Sequence, residues 1–344
     1  MAYTTIDNPG LYFNTVVYAG SNSDQSVTGV GFQPDWVWIK NRSSTPDHML
    51  NDAVRGAGKQ INSNTTTAEL DRTYFMSFDS DGFTLDGNVS DYNQNSSNFV
   101  SWNWLAGDTA SSNSDGSITS SVSVNTTAGF SIVSYTGTGS NATIGHGLGV
   151  VPDMVIVKCR SASGRGWTVW HNALPGTHAL DLNGTDAQYS STSSWNSTVP
   201  TSSVFSVGTR LATNDNTETF IAYLLAEKKG YSKFGTYTGN GNADGTFAYT
   251  GFRPAFVMCK RTSGTGNWQV FDSKREGFNV DNDGLQANLA NAEATDDDID
   301  ILSTGFKLRG TGNDLNGSGS TYIYMAFAEN PFVTTGTKAA GTAR

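Results

Sequence analysis

Gly31-Phe-Gln-Pro34-Asp-Trp-Val-Trp-Ile-Lys40 is the stretch that decides the fold, because the chain contains two more copies of its pattern. They are Gly149-Val-Val-Pro152-Asp-Met-Val-Ile-Val-Lys158 and Gly251-Phe-Arg-Pro254-Ala-Phe-Val-Met-Cys-Lys260. Each copy has a glycine, a proline three residues later, one spacer, four apolar residues, and a lysine six residues after the proline. A pattern that recurs at intervals of roughly 100 residues predicts a chain built from three similar units.

The proline and the apolar run of each copy predict a central, buried β-strand. Proline has no N–H to donate to a sheet ladder, so it belongs at the first residue or the edge of a strand. The apolar residues that follow do not alternate with polar ones, and such a strand is covered on both faces. We expect a second sheet on one face, and loops or a neighbouring unit on the other. The lysine that ends each copy is expected to extend its amine to water, and three equivalent anion sites are the alternative.

Further strands surround each copy in the same order. An aromatic and β-branched run precedes the proline, and a short aromatic stretch, weaker in the first unit, follows the lysine. Polar segments such as 62–69 and 183–200 come next; they have few apolar anchors and predict surface loops. Two strands with period-2 alternation then close each unit. These closing strands contain 83–85 and 99–104, 205–207 and 220–225, and 306–308 and 322–327.

The predicted fold class is all-β, with three tandem antiparallel β-sandwich units of a jelly-roll or concanavalin-like kind. The predicted boundaries are 1–107 for the first unit, 108–127 for a connector with an edge strand, 128–228 for the second unit, 229–332 for the third, and 333–344 for a flexible tail. Each unit is long enough to bury its own core. Three such units in series predict a rigid rod or a broad platform.

Composition disfavours several classes of protein. The formal net charge of −10 argues against a nucleic-acid partner, because neutralising phosphates needs an excess of Lys and Arg. The chain begins without a basic and apolar leader and has no apolar run long enough for a membrane helix, so we expect a soluble protein made in the cytosol. Cys159 and Cys259 sit at nearly equivalent places, and ordinary buried thiols are a simpler expectation than a disulfide between two facing units.

Two acidic turns raise the question of a metal. Asp79-Ser-Asp81-Gly and Asp281-Asn-Asp283-Gly have the short carboxylate spacing of a calcium loop. Neither continues with the acidic residue that completes an EF-hand loop. We therefore expect solvated turns and no cofactor, with Ca²⁺ as the open alternative.

The aromatic, histidine and acidic residues are the candidates for glycan binding and for catalysis. Trp195 lies in a Ser-rich loop, and an indole face in a loop can stack on a sugar ring, so it is the candidate glycan-binding residue. His146 lies in Gly-His-Gly-Leu-Gly and is expected to be a turn residue. The sequence has no Gly-x-Ser-x-Gly elbow and no Cys/His cluster with zinc spacing. We predict no enzyme, and a glycan hydrolase stays open only because acidic residues are plentiful.

Five motifs together carry a resemblance to a known group of proteins. They are Gly-Phe-x-Pro-Asp-x-Val-x-Ile-Lys-Asn-Arg at 31–42, Ser-Phe-Asp-Ser-Asp-Gly-Phe-Thr-Leu at 77–85, Asn-Thr-Thr-Ala-Gly-Phe-Ser-Ile-Val-Ser-Tyr-Thr-Gly at 125–137, Ile-Gly-His-Gly-Leu-Gly at 144–149, and Tyr-Ile-Tyr-Met-Ala-Phe-Ala-Glu-Asn-Pro-Phe at 322–332. Over nearly its whole length the chain resembles repeat-containing, tail-fibre-like virion proteins of tailed phages, many of them marine. The resemblance implies an exterior structural setting and supplies no catalytic residues.

The expected function is therefore that of a non-enzymatic virion structural protein, in a tail fibre or another exterior appendage involved in host attachment. Two alternatives stay open: a receptor-recognition module that binds a host surface glycan, and a capsid-decorating or head-fibre protein. The expected partners are other copies of the chain and other virion proteins, without nucleic acid and without membrane insertion. The expected location is the virion, after assembly in the host cytoplasm.

Overall fold

The computed structural model describes residues 4–87, 89–107, 109–275, 279, 283–295 and 299–332. Within them almost all of the regular secondary structure is β-strand, with a 3-10 turn at Pro9–Leu11 and one short helix, α1, at Leu211–Asn214. The strand ladders are antiparallel, which confirms the predicted all-β class. In the described part of the chain, no helix has both the length and the apolar character that crossing a membrane requires.

The first segment, residues 1–107, has its described strands in two main sheets. The strands are β1 (Phe13–Ala19), β2 (Gln25–Thr28), β3 (Trp36–Asn41), β4 (Met49–Asp52), β5 (Lys59–Gln60), β6 (Leu70–Asp71), β7 (Phe75–Asp79), β8 (Gly82–Leu85) and β9 (Asn98–Trp104). The larger sheet has the order β1-β9-β3-β4, the smaller one has the order β2-β8-β7, and β5 and β6 form a separate hairpin. The repeated pattern forms β3, in the interior of the larger sheet.

The connector adds two strands to the edge of the second segment, residues 128–228. The strands are β10 (Ser111–Asn113), β11 (Ser120–Asn125), β12 (Phe130–Thr136), β13 (Ala142–Gly145), β14 (Met154–Cys159), β15 (Thr168–His171), β16 (His178–Asp181), β17 (Tyr189–Ser190), β18 (Val204–Val207) and β19 (Thr219–Leu225). The large sheet runs β10-β11-β12-β19-β14-β15-β16-β17, and β13 pairs with β18. The predicted edge strand is therefore β11, with β10 outside it.

The third segment, residues 229–332, repeats the arrangement of the first. Its strands are β20 (Ser232–Thr238), β21 (Phe247–Tyr249), β22 (Phe252–Arg261), β23 (Trp268–Asp272), β24 (Leu285–Gln286), β25 (Ile299–Leu302), β26 (Gly305–Leu308) and β27 (Thr321–Pro331). The large sheet runs β20-β27-β22-β23-β24 and the small one β21-β26-β25. In all three segments the opening strand pairs with the closing strand, which pairs with the repeated pattern, which pairs with the aromatic stretch.

The prolines act as predicted in two segments and differently in the third. Pro34 and Pro152 lie just before β3 and β14. Pro254 lies inside β22, where the pairing with β27 shifts register on either side of it. An irregularity of this kind accommodates a residue that has no N–H to give to the ladder.

The repeated strand is buried on both faces, as its unbroken apolar run predicts. In β3, Trp36 and Trp38 join one hydrophobic cluster, while Val37 and Ile39 join another with side chains of the small sheet. The same alternation occurs in β22, where Phe256 and Met258 face one cluster and their neighbours face the other. The small sheet of each of these two segments therefore covers one face of the repeated strand.

The opposite faces of the three large sheets share one central core. Trp36 of the first segment stacks on Tyr223 of the second, with ring centroids 4.3 Å apart. Phe13 of the first segment stacks on Phe327 of the third at 5.1 Å. The three segments are thus not strung in series as a rod or a platform, because their large sheets enclose a common core. A strand that is apolar on both faces predicts that each face is covered. It does not show that one hydrophobic cluster covers the repeated strands of all three segments.

Candidate functional site

Polar loops join the three segments by equivalent backbone hydrogen bonds. The amide N–H of Glu69 donates to the carbonyl of Arg160 at 2.6 Å, that of Gln188 donates to Thr262 at 3.1 Å, and that of Glu293 donates to Arg42 at 2.9 Å. Each acceptor stands two residues after the lysine of its repeated pattern. The segments therefore contact one another cyclically: the loop of the first docks on the second, that of the second on the third, and that of the third on the first.

The predicted surface loops at 62–69 and 183–200 have exposed stretches, such as 196–199, but parts of them are buried where they dock on a neighbouring segment. Asn62 and Ser63 are buried, and the Ser63 hydroxyl donates to the carbonyl of Ala287 in the third segment at 2.6 Å. Polar side chains bond there with the backbone of a neighbouring segment, where water was expected. Composition cannot separate these two partners, because both satisfy the same donors and acceptors.

The three repeated lysines are buried in these contacts, so the prediction that they reach water is wrong. Lys40, Lys158 and Lys260 have no exposed surface. The Lys40 amine lies within hydrogen-bond distance of four carbonyl oxygens, one of them that of Ala290 in the third segment at 3.1 Å. The Lys260 amine donates to Thr185 of the second segment at 2.9 Å, and Lys158 donates to a carbonyl of its own segment. Backbone carbonyls take the place of water, which also leaves these amines closed to an external anion.

Titration of the buried lysines gives a testable pH dependence. Burial lowers the pKa of each amine to about 8. An unfolded lysine keeps its proton to about pH 10.4, so above pH 8 the unfolded chain binds more protons than the folded one, and each lysine's contribution to stability rises with pH. We expect the free energy of unfolding of the wild type, minus that of Lys260→Met, to grow by about 1–2 kcal/mol between about pH 7.5 and about pH 9.5.

Urea denaturation at each pH measures this difference. The subtraction removes the contributions of tyrosines and cysteines that titrate in the same pH range, because both proteins contain them. Lys233→Met is the control for loss of a lysine as such, because its side chain is 33% exposed. A difference that stays constant across the range would contradict titration of a buried amine.

Buried ion pairs reinforce the contact between the first and second segments. Arg55 and Asp52 are completely buried and bonded to each other, and the Asp52 carboxylate also accepts from the hydroxyl of Tyr223 at 2.7 Å. Glu69 bonds Arg55 at 3.3 Å and accepts two hydrogen bonds from Arg160, at 2.8 and 2.9 Å. Burial raises the pKa of Glu69, but the hydrogen bond from Arg160 and the charge of Arg55 outweigh it and hold that pKa below its usual value. Four charges thus form a neutral chain across the contact.

The contact between the third and first segments carries the same chain of charges. Arg275 bonds Asp272 at 2.6 Å and Glu293 at 2.8 Å, and Glu293 bonds Arg42 at 2.6 Å. The Asp272 carboxylate accepts from the indole N–H of Trp102 at 2.9 Å. This N–H supplies the bond that the tyrosine hydroxyl supplies in the other contact. In both chains each charged group bonds to the next, and the outer arginine and glutamate remain partly exposed, at 18% and 13% in this contact and at 18% and 12% in the other.

The contact between the second and third segments lacks all four charges. The strand register places His171 where the other segments have Asp52 and Asp272. The three remaining positions, counted from the same landmarks, are Leu174, Gln188 and Thr262. Burial lowers the pKa of His171 to about 4, so it is neutral at physiological pH. The whole set is replaced together, which is how a buried ion network is removed without leaving one charge unpaired.

The candidate glycan residue does not lie on the surface. Trp195 is 2% exposed and belongs to the central hydrophobic cluster. A sugar ring therefore cannot stack on its indole from solvent. A tryptophan in a serine-rich loop can either bind a ligand from solvent or pack into the core and fix the loop there. In this structure Trp195 packs into the core.

The predicted calcium carboxylates are bonded inside the protein wherever the structure describes them. Asp79 accepts from the hydroxyls of Ser77 and Thr84, and Asp81 accepts from the N–H groups of Gly29 and Gly31, at the start of the repeated pattern. The described residues contain no group of three or more His, Cys, Asp or Glu side chains that could hold a metal ion.

The second acidic turn is described only at its end. Asp283 bonds Arg42 at 3.2 Å and so adds to the contact between the third and first segments. Asp281 lies outside the described residues. The described part of this turn thus belongs to the scaffold.

The histidine and the cysteines singled out from the sequence have structural settings. His146 lies in the loop directly after β13: one ring nitrogen accepts from the N–H of Leu148, and the other lies 3.1 Å from the carbonyl of Thr201 and donates to it. Cys159 and Cys259 are buried free thiols. Burial raises the pKa of Cys259 to about 12, which makes it a poor nucleophile at neutral pH.

Two exposed aromatic residues were missed in the sequence. Phe247 and Tyr249 flank the buried Ala248 on β21 and are 43% and 57% exposed. The register of the small sheets makes Val27 and Ile144 the equivalents of Ala248, so the flanking residues of the other segments are Ser26 and Thr28, and Thr143 and Gly145. Alignment of the three units at this strand would have shown aromatic residues where the other copies have small ones. A sheet surface with two open rings can bind an apolar or ring-shaped ligand.

The comparisons with known proteins identify a family. A family model described as a domain of unknown function, DUF7483, matches residues 8–331, and the chain belongs to that family. No curated protein and no solved structure matches it. The match includes all three copies of the repeated pattern, so the family corresponds to the three-segment arrangement as a whole.

Proposed function

We propose that this member of the DUF7483 family is a non-enzymatic structural protein of a phage virion, most fittingly a component of a tail fibre or another exterior appendage used in host attachment. The observation that carries the proposal is the cyclic docking of three segments around one core. Two of the three contacts contain buried ion pairs. In each of the three contacts, a buried lysine amine or indole N–H donates to a backbone carbonyl of the neighbouring segment. Such a body resists deformation, and its outer loops can change without disturbing the core.

The finer architecture that goes with this role is three tandem β-sandwich units. In the first and third segments, the outer face of the large sheet packs on the small sheet over its own hydrophobic cluster. This supports a sandwich in each, with boundaries at 1–107 and 229–332. A third sandwich at 128–228 follows from the shared strand order, with β13 and β18 as the covering layer. Self-association and contacts with other virion proteins belong to the same proposal.

Immunogold labelling of purified virions tests the location. Antibodies against the recombinant chain are expected to mark the tail or another appendage. Labelling of the capsid would favour the alternative of a decoration or head-fibre protein over the tail. Virions that carry the chain neither by labelling nor by mass spectrometry would overturn the structural proposal.

A second candidate function, recognition of a host surface glycan, is favoured by Phe247 and Tyr249. The double variant Phe247→Ser/Tyr249→Thr carries the residues that the first segment has there, so it is expected to fold normally. On a glycan array the wild type should bind a defined set of glycans, and the double variant should lose at least about tenfold in affinity. Equal binding by both proteins would sink this candidate.

A further inference from the structure

The first segment carries a polar cleft to which the proposed structural role assigns no function. It encloses about 360 Å³ between the β5–β6 hairpin and the turn that precedes β9. Its lining includes Asp47, Gln60, Asn62, Arg72, Tyr74 and Asp91. The volume falls within the range of small-molecule sites. The cleft lies apart from the aromatic pair on β21 of the third segment.

Gln60 makes this cleft more than a surface depression. Its side chain is only 4% exposed, and its Oε1 has no hydrogen-bond partner. Its Nε2 makes one long contact, 3.4 Å, to Asn62 Oδ1. A buried amide oxygen without a donor is costly. The last side-chain torsion of glutamine is broad, and contact with a ligand in the cleft requires the amide to rotate about it.

The fold does not require an amide at this position. Gln60 stands nine residues before Glu69, and the residues nine before Gln188 and Glu293 are Ala179 and Gly284. The other two copies of the hairpin region therefore form without an amide there. The glutamine is specific to this cleft, and a hydrogen-bond donor bound there would satisfy its amide oxygen.

The chemistry of the lining defines that ligand. Asp47 and Asp91 each accept one hydrogen bond from the protein, through Oδ1, and their other oxygens, with that of Gln60, suit a ligand that supplies donors. Arg72, whose guanidinium lies 5.9 Å from the ring of Tyr74, supplies donors at the opening. Leu70 and Val89 add apolar surface to the same lining. A ligand that combines several hydroxyl groups with an apolar ring face matches all of these features.

We propose that the cleft on the first segment binds a single sugar residue, with Gln60 accepting a hydrogen bond from one of its hydroxyl groups. The site goes beyond the structural role proposed above and does not depend on the aromatic pair of the third segment. One sugar in an open cleft of this kind binds weakly, so detection must cover the millimolar range.

Saturation-transfer NMR on the full chain with a panel of hexoses, N-acetylhexosamines, pentoses and uronic acids tests the proposal. At least one sugar is expected to receive saturation, and a titration should then show that Gln60→Ala weakens its binding by about tenfold or more. Alanine is the residue of the second segment, so the variant should unfold at the same temperature as the wild type or at a higher one. Leu70→Trp, which fills the cleft from a half-buried position, should abolish binding.

The aromatic double variant Phe247→Ser/Tyr249→Thr is the matched control and should bind the sugar like the wild type. Loss of binding in that variant, with full binding in Gln60→Ala, would place the sugar on β21 and overturn this site while supporting the second candidate function. Absence of saturation transfer to every sugar of the panel would also overturn it. Neither result would bear on the virion role, which labelling tests separately.

Discussion

Replacing Asp272 by asparagine should destabilise the protein by about 3–5 kcal/mol. The carboxylate is fully buried and holds the guanidinium of Arg275 at 2.6 Å and the indole N–H of Trp102 at 2.9 Å. An amide keeps the shape but removes the charge, and Arg275 then stays buried with only Glu293 to balance it. Urea denaturation at neutral pH measures the loss.

The chain itself supplies the matched control for this experiment. The second segment has His171 and Leu174 at the positions of Asp272 and Arg275, so Asp272→His/Arg275→Leu copies a neutral pair that the fold already accommodates. The double variant should cost much less than the single one, because no buried charge is left alone. A double variant as unstable as Asp272→Asn would show that the ion chain contributes in some other way.

Truncation of Trp36 to alanine should cost about 3–5 kcal/mol. Its side chain is 1% exposed, and its ring lies 4.5 Å from that of Trp104 and 4.3 Å from that of Tyr223 in the second segment. The variant removes the largest kind of side chain from a core to which three sheets contribute. Tyr249→Ala is the control for loss of an aromatic side chain, and at 57% exposure it should change stability by less than about 0.5 kcal/mol.

The form of the unfolding curve makes this second experiment more informative. If the three segments share one core, Trp36→Ala should shift a single transition that fluorescence and circular dichroism report at the same denaturant concentration. A curve that splits, with part of the signal unchanged from the wild type, would mean that the segments unfold as separate bodies.

The strands and their succession along the chain were readable from the sequence because they rest on local patterns. The apolar run after Pro34 specifies a strand covered on both sides, and Phe99 to Trp104 show the alternation of a strand between two different faces. The aromatic stretch of the first segment was the weakest match, since only His48 stands where the other copies have tryptophan. The structure pairs this histidine with Trp38 at 2.9 Å and with the carbonyl of Gln286 at 3.1 Å.

The partners of polar side chains were not readable in the same way. A lysine at the end of an apolar strand looks the same whether its amine meets water or, as for Lys260, the carbonyl of Thr185 in another segment. The prediction for Trp195 was wrong for a similar reason. The composition of its loop suggested exposure to solvent, but its ring is buried. Both outcomes depend on which distant loops meet, and residue type carries little information on that.

The contact between the second and third segments lacks the four-charge chain, and this difference bears on how the three segments come together. It joins the second and third segments, which are neighbours in the chain across only Lys228 and Lys229, so each is already held near the other at a high effective concentration. The closure between Arg42 and Glu293 joins residues from opposite ends of the chain, and there the loop entropy is largest. The four-charge chains thus lie on the contact between the two ends of the chain and on the contact across the connector 108–127, and are absent where the covalent linker is shortest. The differences between the three copies thus place ion pairs on the closing contact, where the covalent connection contributes least.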